Sequence, residues 1–342
     1  MNVELGTLNR SCKEKIMLDT LKNKGLVLIC GTVISVLIIH AHAESVQTGP
    51  EPYNVVWNSP SKDFNGSMPI GNGDIGANVW VEQGGDLLFY ISKTDAWSEN
   101  ARLLKLGRIR IRLTPNPFAS GSLFQQELDL KNGVIKIRAT PESIGNEVDL
   151  NFWIDANNPV IRITGKASNP IKVEVMLEHW RTERQEVAKG DRSFTGLFDR
   201  DTKSKGFAYP LFVEPDTIVD TKEDSMIWYH RNRKSAHSVW EDTLNNQGLG
   251  GFIEKSDDPL LNLTFGALVE GKGLVRTSST KLQSAKPSDA VDISVFPLTA
   301  QTATAKQWSE KVKYQAVKYK GKHSAELHTQ PVDEFLKREH IT

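Results

Sequence analysis

Apolar and polar residues alternate with a period of two along most of this chain. Ile109, Ile111 and Leu113 interleave with Arg108, Arg110 and Arg112. Val148, Leu150, Phe152 and Ile154 interleave with Glu147, Asp149, Asn151 and Trp153, and the same beat returns in Val173, Val175, Leu177 and in Val291, Ile293, Val295. Successive side chains of a strand point to opposite faces, so each run predicts a strand with one buried face. Gly84-Gly85 and Asn132-Gly133 fall between such runs, where tight hairpin turns need positive φ. From Asn54 to Phe296 roughly a dozen strands follow, with no βαβ alternation. The predicted fold class is all-β: a large antiparallel β-sandwich, or supersandwich.

The period changes after Pro297. Residues 302–319 are rich in Ala, Lys, Gln and Glu, and Trp308, Val312 and Ala316 recur at helical spacing, which predicts an amphipathic helix. A second short helix is expected over 332–338, with Pro331 as its starter. The expected organisation is a leader over 1–43, a sandwich over 44–298 and a helical connector over 299–342.

Composition narrows the function. Lys+Arg and Asp+Glu both number 42, so the chain offers no electrostatic case for nucleic acid. Near the N-terminus, Lys13, Lys15, Lys22 and Lys24 precede the apolar run 25–39, and Ala41-His42-Ala43 follows ahead of Glu44. That order reads as a secretory signal, so a secreted or periplasmic protein is expected, off the membrane once the signal is cleaved. The run is short of the ~20 apolar residues of a spanning helix, which weighs against a permanent anchor. Met17 is an alternative start. Cys12 and Cys30 both lie in the leader, so neither disulfides nor thiolate metal sites support the mature chain. No cofactor is called for.

Two motifs carry more specific information. In Met68-Pro69-Ile70-Gly71-Asn72-Gly73-Asp74-Ile75-Gly76-Ala77, Gly71, Gly73 and Gly76 permit positive φ or close backbone approach, and Asn72 can bond its own backbone. A structural turn, with Gly71, Asn72, Gly73 and Gly76 as its residues, and a substrate-facing loop both fit. Phosphate binding does not, because a strand follows the glycines. The second motif is Ile91-Ser92-Lys93-Thr94-Asp95-Ala96-Trp97-Ser98-Glu99-Asn100. Together they resemble the N-terminal domain of glycoside hydrolase family 95, the α-L-fucosidases and α-L-galactosidases. Lys93 and Ala96 depart from that pattern, and the continuation Arg102-Leu103-Leu104-Lys105-Leu106-Gly107-Arg108 is closer to the sister family called domain of unknown function 5703. The resemblance covers about residues 53–297. It implies a sandwich leading into an (α/α)₆ barrel that carries the catalytic carboxylates, so no catalytic residue is assigned here and the chain alone is expected to be inactive. The barrel would be its intramolecular partner, and a glycan or polysaccharide its ligand.

Three strand ends are candidates for contact with sugar. Trp228-Tyr229-His230-Arg231-Asn232-Arg233 offers His230, Arg231 and Asn232, since planar donors suit hydroxyls and aromatic faces suit pyranose rings. His179-Trp180-Arg181 contributes Trp180 and Arg181, and the second motif contributes Lys93, Asp95 and Trp97. Any of these could equally close the end of a sandwich, with Trp228 in the core. Arg108, Arg110 and Arg112 are expected to be solvated or paired with Glu127 and Asp129. The histidines lack ligand-like spacing, so no metal site is expected.

Three functional readings remain open at this stage. The first is a non-catalytic sandwich that buttresses a barrel and walls its pocket. Its connector helix, parted from the barrel, would then lose the partner that buries Trp308. The second is a stand-alone carbohydrate-binding module. The third is a complete enzyme, which would need a paired acid near His230.

Overall fold

The structure, a computed structural model, describes residues 53–119, 121–141, 146–188, 210–234 and 238–320. The expected leader and the helix expected over 332–338 lie outside the described residues.

In chain order the first strands are β1 (Val55–Trp57), β2 (Met68–Gly71), β3 (Ile75–Val81), β4 (Leu87–Lys93), β5 (Gly107–Thr114) and β6 (Ser122–Asp129). Next come β7 (Val134–Pro141), β8 (Val148–Ile154), β9 (Ile161–Glu178), β10 (Gln185–Glu186), β11 (Phe212–Val213), β12 (Thr217–Val219) and β13 (Met226–Arg231). Helix α1 (Val239–Asn246), strands β14 (Leu263–Gly271), β15 (Leu274–Ser278), β16 (Lys281–Ser284) and β17 (Ser288–Gln301), and helix α2 (Ala305–Tyr319) complete the order.

The long strands form two antiparallel sheets that share β9. One runs β1-β6-β7-β8-β9-β17-β14-β13-β12, and the other contains β2, β3, β4, β5, β9, β16 and β15. β9 serves both because it turns a corner at the exposed Ser168-Asn169-Pro170. Residues 161–167 pair with β8, and residues 172–178 pair with β5. Proline has no N–H for a ladder, so it suits the point where one pairing ends and the next begins.

The predicted alternation becomes the packing. Phe89, Ile109 and Val175 on one sheet meet Phe152, Ile163 and Val295 on the other in a single buried core. Phe89 and Phe152 touch edge to face across it, with ring centroids 4.9 Å apart. Each side chain of this kind stabilises the fold by about 1.5–3 kcal/mol through burial.

The polar face of β5 has other partners than those expected. Arg108 and Arg110 bind Glu178, Arg110 also binds Glu82 and Asp86, and Arg112 binds Asp86. Glu127 instead accepts from Asn54, and Asp129 from Lys136. The reason is topological. β5 lies between β4 and β9, while β6 belongs to the other sheet, so the β5–β6 connection crosses the sandwich and is not a hairpin.

The connector helix also differs from expectation, because it is not left without a partner. Trp308, Val312 and Ala316 of α2 are buried against Ile227, Leu268 and Phe296 on the outer face of the larger sheet. The Thr304 hydroxyl accepts from the Gln307 N–H, and the Gln307 side chain accepts from the Ala303 N–H, so the first turn is capped in both directions. Gln315 donates to the carbonyls of Pro159 and Pro297, tying the helix to the strand edges.

Candidate functional site

The ends of β4, β9 and β13 converge at one edge of the sandwich. Trp228 anchors this edge from β13: its fully buried indole donates to the Leu106 carbonyl at 2.7 Å. Only a glycine fits beside it, since a Cβ on Gly107 would lie 3.3 Å from the Trp228 Nε1. Two residues further along the same face, His230 enters the interior at 1% exposure, stacked on Phe265.

His230 stands between two carboxylates. Its Nε2 is 2.9 Å from Glu99 Oε2, and its Nδ1 is 3.2 Å from Asp216 Oδ1. Asp216 Oδ1 also accepts from Arg181 Nε at 2.8 Å, and Glu99 Oε1 accepts from the Glu214 N–H at 3.1 Å. Both ring nitrogens face acceptors, and only the imidazolium can donate from both. Burial pushes the His230 pKa down, but the hydrogen bonds from Asp216 and Glu99 outweigh it and raise the pKa above the ordinary histidine value. Two cations and two anions therefore balance in a buried chain Arg181–Asp216–His230–Glu99.

Asn232 continues the strand end. It is 1% exposed, and its Nδ2 donates to the carbonyls of Trp97 and Leu260, both at 2.9 Å. The Trp97 ring itself is 41% exposed. A cavity of about 290 Å³ opens here, lined by Glu99, Asn232, Trp240, Glu241, Asp258 and Leu260 among others. Glu99, with a side chain 9% exposed, is the member of the ion chain that reaches it.

The structure thus brings Trp97, Arg181, His230 and Asn232 to one place. Trp180, next to Arg181, faces outward at 46% exposure, edge-on to Tyr90 at 6.0 Å. Arg231 turns to the opposite side of the strand. Its guanidinium donates to Asn262, Thr264 and the Thr302 carbonyl, which ties β13 to the segment before α2. Burial without a facing acid lowers its pKa.

Lys93 and Asp95 form a separate unit with the glycine motif. The buried Lys93 ammonium lies 2.7 Å from Asp74 and 2.9 Å from Asp95. Asn72 Oδ1 accepts from the N–H groups of Asp74 and Ile75, while its Nδ2 donates to the Asp155 carbonyl. Gly73 supplies the positive φ of +90° that this turn needs. Gly71 and Gly76 pair with each other where β2 and β3 meet.

Glu99 and Asp216 were not singled out from the sequence. Neither sits in a periodic pattern, and they lie 131 and 14 residues from His230. Among the described residues no three His, Asp or Glu side chains are grouped so as to hold a metal ion.

Comparison with known proteins gives two matches. A family model described as Domain of unknown function (DUF5703) covers residues 56–341. A solved structure from the human microbiome, provisionally described as a kojibiose phosphorylase, aligns with a TM-score of 0.40 and 11% identity. That alignment covers 84% of this chain and 35% of the other, so the chain spans about a third of the length of that protein. No curated protein matches.

Proposed function

Because the chain belongs to the family described as Domain of unknown function (DUF5703), we propose that it is a non-catalytic β-sandwich of an exported, glycan-handling protein. It holds and positions sugar, while bond cleavage belongs to a barrel domain of the kind the resembled glycosidases carry. The observation behind this reading is the closed ion chain at the strand ends. Glycoside hydrolysis needs two carboxyl groups flanking one scissile bond, one of them able to give up or take a proton. Here the acids beside His230 face the two sides of the same imidazolium ring, and Asp216 is 1% exposed. Such a chain fixes the positions of Trp97, Asn232 and the Arg181 loop. It does not present an acid–base pair to a substrate.

The rival enzymatic reading has its minimum requirement met, since acids do lie beside His230, and it is separable by experiment. Purified chain is incubated with chromogenic α-L-fucosides and α-galactosides. No release of aglycone is expected. Turnover that disappears in Glu99→Gln would overturn the proposal. A stand-alone carbohydrate-binding module is the second reading, favoured by the exposed Trp97 and Trp180 rings. It shares the same sugar contacts and differs in needing no barrel.

A further inference from the structure

We infer that the cavity beside Glu99 is a binding site for a single uncharged sugar ring, held through its hydroxyl groups. This names the ligand class of the glycan-positioning edge described above and rests on that reading.

Two polar atoms in the cavity wall carry the inference. Asn232 commits its Nδ2 to two backbone carbonyls, yet its buried Oδ1 has no partner. Trp240, on the first turn of α1, has a buried Nε1 that likewise has no partner. Buried polar groups are almost always hydrogen-bonded, so each unmet atom calls for an explanation. One is an acceptor and the other a donor, and both line the same cavity. A hydroxyl group can satisfy both, giving its proton to Asn232 Oδ1 and accepting from Trp240 Nε1. A carboxylate or phosphate could serve only the indole, and an ammonium only the amide oxygen.

The remaining lining agrees. Glu99, Glu241 and Asp258 face Arg233 and Lys234, so charges of both signs are present and neither an anion nor a cation is selected. The Asp258 carboxylate is already engaged by the N–H groups of Leu260 and Leu261. Glu99 accepts one bond on each oxygen and keeps lone pairs for further hydroxyl donors. At about 290 Å³ the space is at the lower limit of small-molecule sites, which suits one ring and not a chain of them. Leu260, Leu261 and the Trp240 ring offer apolar surface to the carbon face of a pyranose.

The test uses the full chain and ligand-observed NMR titration with D-glucose, D-galactose, L-fucose and D-glucuronate. Saturable binding of at least one of the three neutral sugars is expected, with glucuronate bound no better than glucose. Trp240→Phe keeps the ring and removes the N–H, and should weaken binding about fivefold, the loss expected for one hydrogen bond. Asn232→Ser serves as the second variant, with near-ultraviolet circular dichroism as the check on folding. Trp180→Ala, outside the cavity, should leave binding unchanged. Absence of binding by all three neutral sugars overturns the inference, as does a preference for glucuronate or a cavity holding water only. Sugar binding that ignores Trp240→Phe and Asn232→Ser but fails in Trp180→Ala moves the site elsewhere, and the glycan-positioning reading then survives. Glycoside turnover with intact cavity binding has the opposite meaning: the non-catalytic reading falls and the cavity stands.

Discussion

Replacing Asp216 with asparagine should be among the most costly single changes in this chain. Asp216 is 1% exposed, and Arg181, whose Nε lies 2.8 Å away, is 8% exposed, so solvent screens neither charge. Asparagine keeps the shape but withdraws the anion between two cations. Removing one partner of a buried ion pair costs about 3–5 kcal/mol, because the other charge stays buried without compensation. Asparagine can still accept one hydrogen bond, which places the expected loss near the lower end, about 3 kcal/mol. With a urea slope of about 3 kcal/mol per molar, the unfolding midpoint should fall by about 1 M. Arg181→Met should cost a similar amount, and the double variant less than the sum, because each change removes the burden the other creates. A pH series adds an independent readout. The His230 pKa is higher in the folded state than the ordinary value of 6.5, so between the two values the folded chain binds more protons than the unfolded one. Stability from this group is fully present below about 6.5 and is lost as pH rises through the folded value. His230→Gln should abolish that slope. A loss under about 1 kcal/mol for Asp216→Asn would mean that the chain behaves as a solvated surface pair, and the reasoning would fail.

Trp308→Ala should destabilise the fold by about 3–5 kcal/mol and open the segment around α2 to protease, because the ring is fully buried against Phe296 and Tyr229. Equal protease resistance in both proteins would contradict the docking of α2. Gly73→Val should cost about 1–3 kcal/mol by chemical denaturation, since a branched side chain is forced to a φ of +90°. A neutral effect there would show that the turn can relax. Export followed by cleavage before Glu44 is expected from the leader pattern, and N-terminal sequencing of the exported protein that still finds residues 20–40 would point to an anchor.

The strands were legible because alternation is a local signal. Ile109, Ile111 and Leu113 need only their own neighbours to reveal which face is buried. Partnership was not legible in the same way. Arg110 finds Glu178 through a pairing 68 residues away, which depends on β9 crossing from one sheet to the other. The helical stripe of Trp308, Val312 and Ala316 showed that α2 exists, but the surface it covers is made by β13, β14 and β17, and no spacing within α2 encodes that. The site follows the same division. Arg181 and His230 stand out as residue types at strand ends, whereas Glu99 and Asp216 are ordinary acids until the fold places them on either side of one ring. Lys93 and Asp95 look like chemistry in the sequence, and in the fold they form a clamp with Asp74 beside the Gly73 turn.

The most direct test of a sugar-positioning, non-catalytic sandwich is a proton NMR time course of a fucosylated or galactosylated oligosaccharide with the purified chain. The expected spectrum shows selective broadening of the sugar resonances, reduced in Trp240→Phe, while the anomeric signals keep their positions and intensities for the whole incubation. New anomeric signals that grow with time and vanish in Glu99→Gln would contradict the proposal and make the edge around His230 a catalytic site.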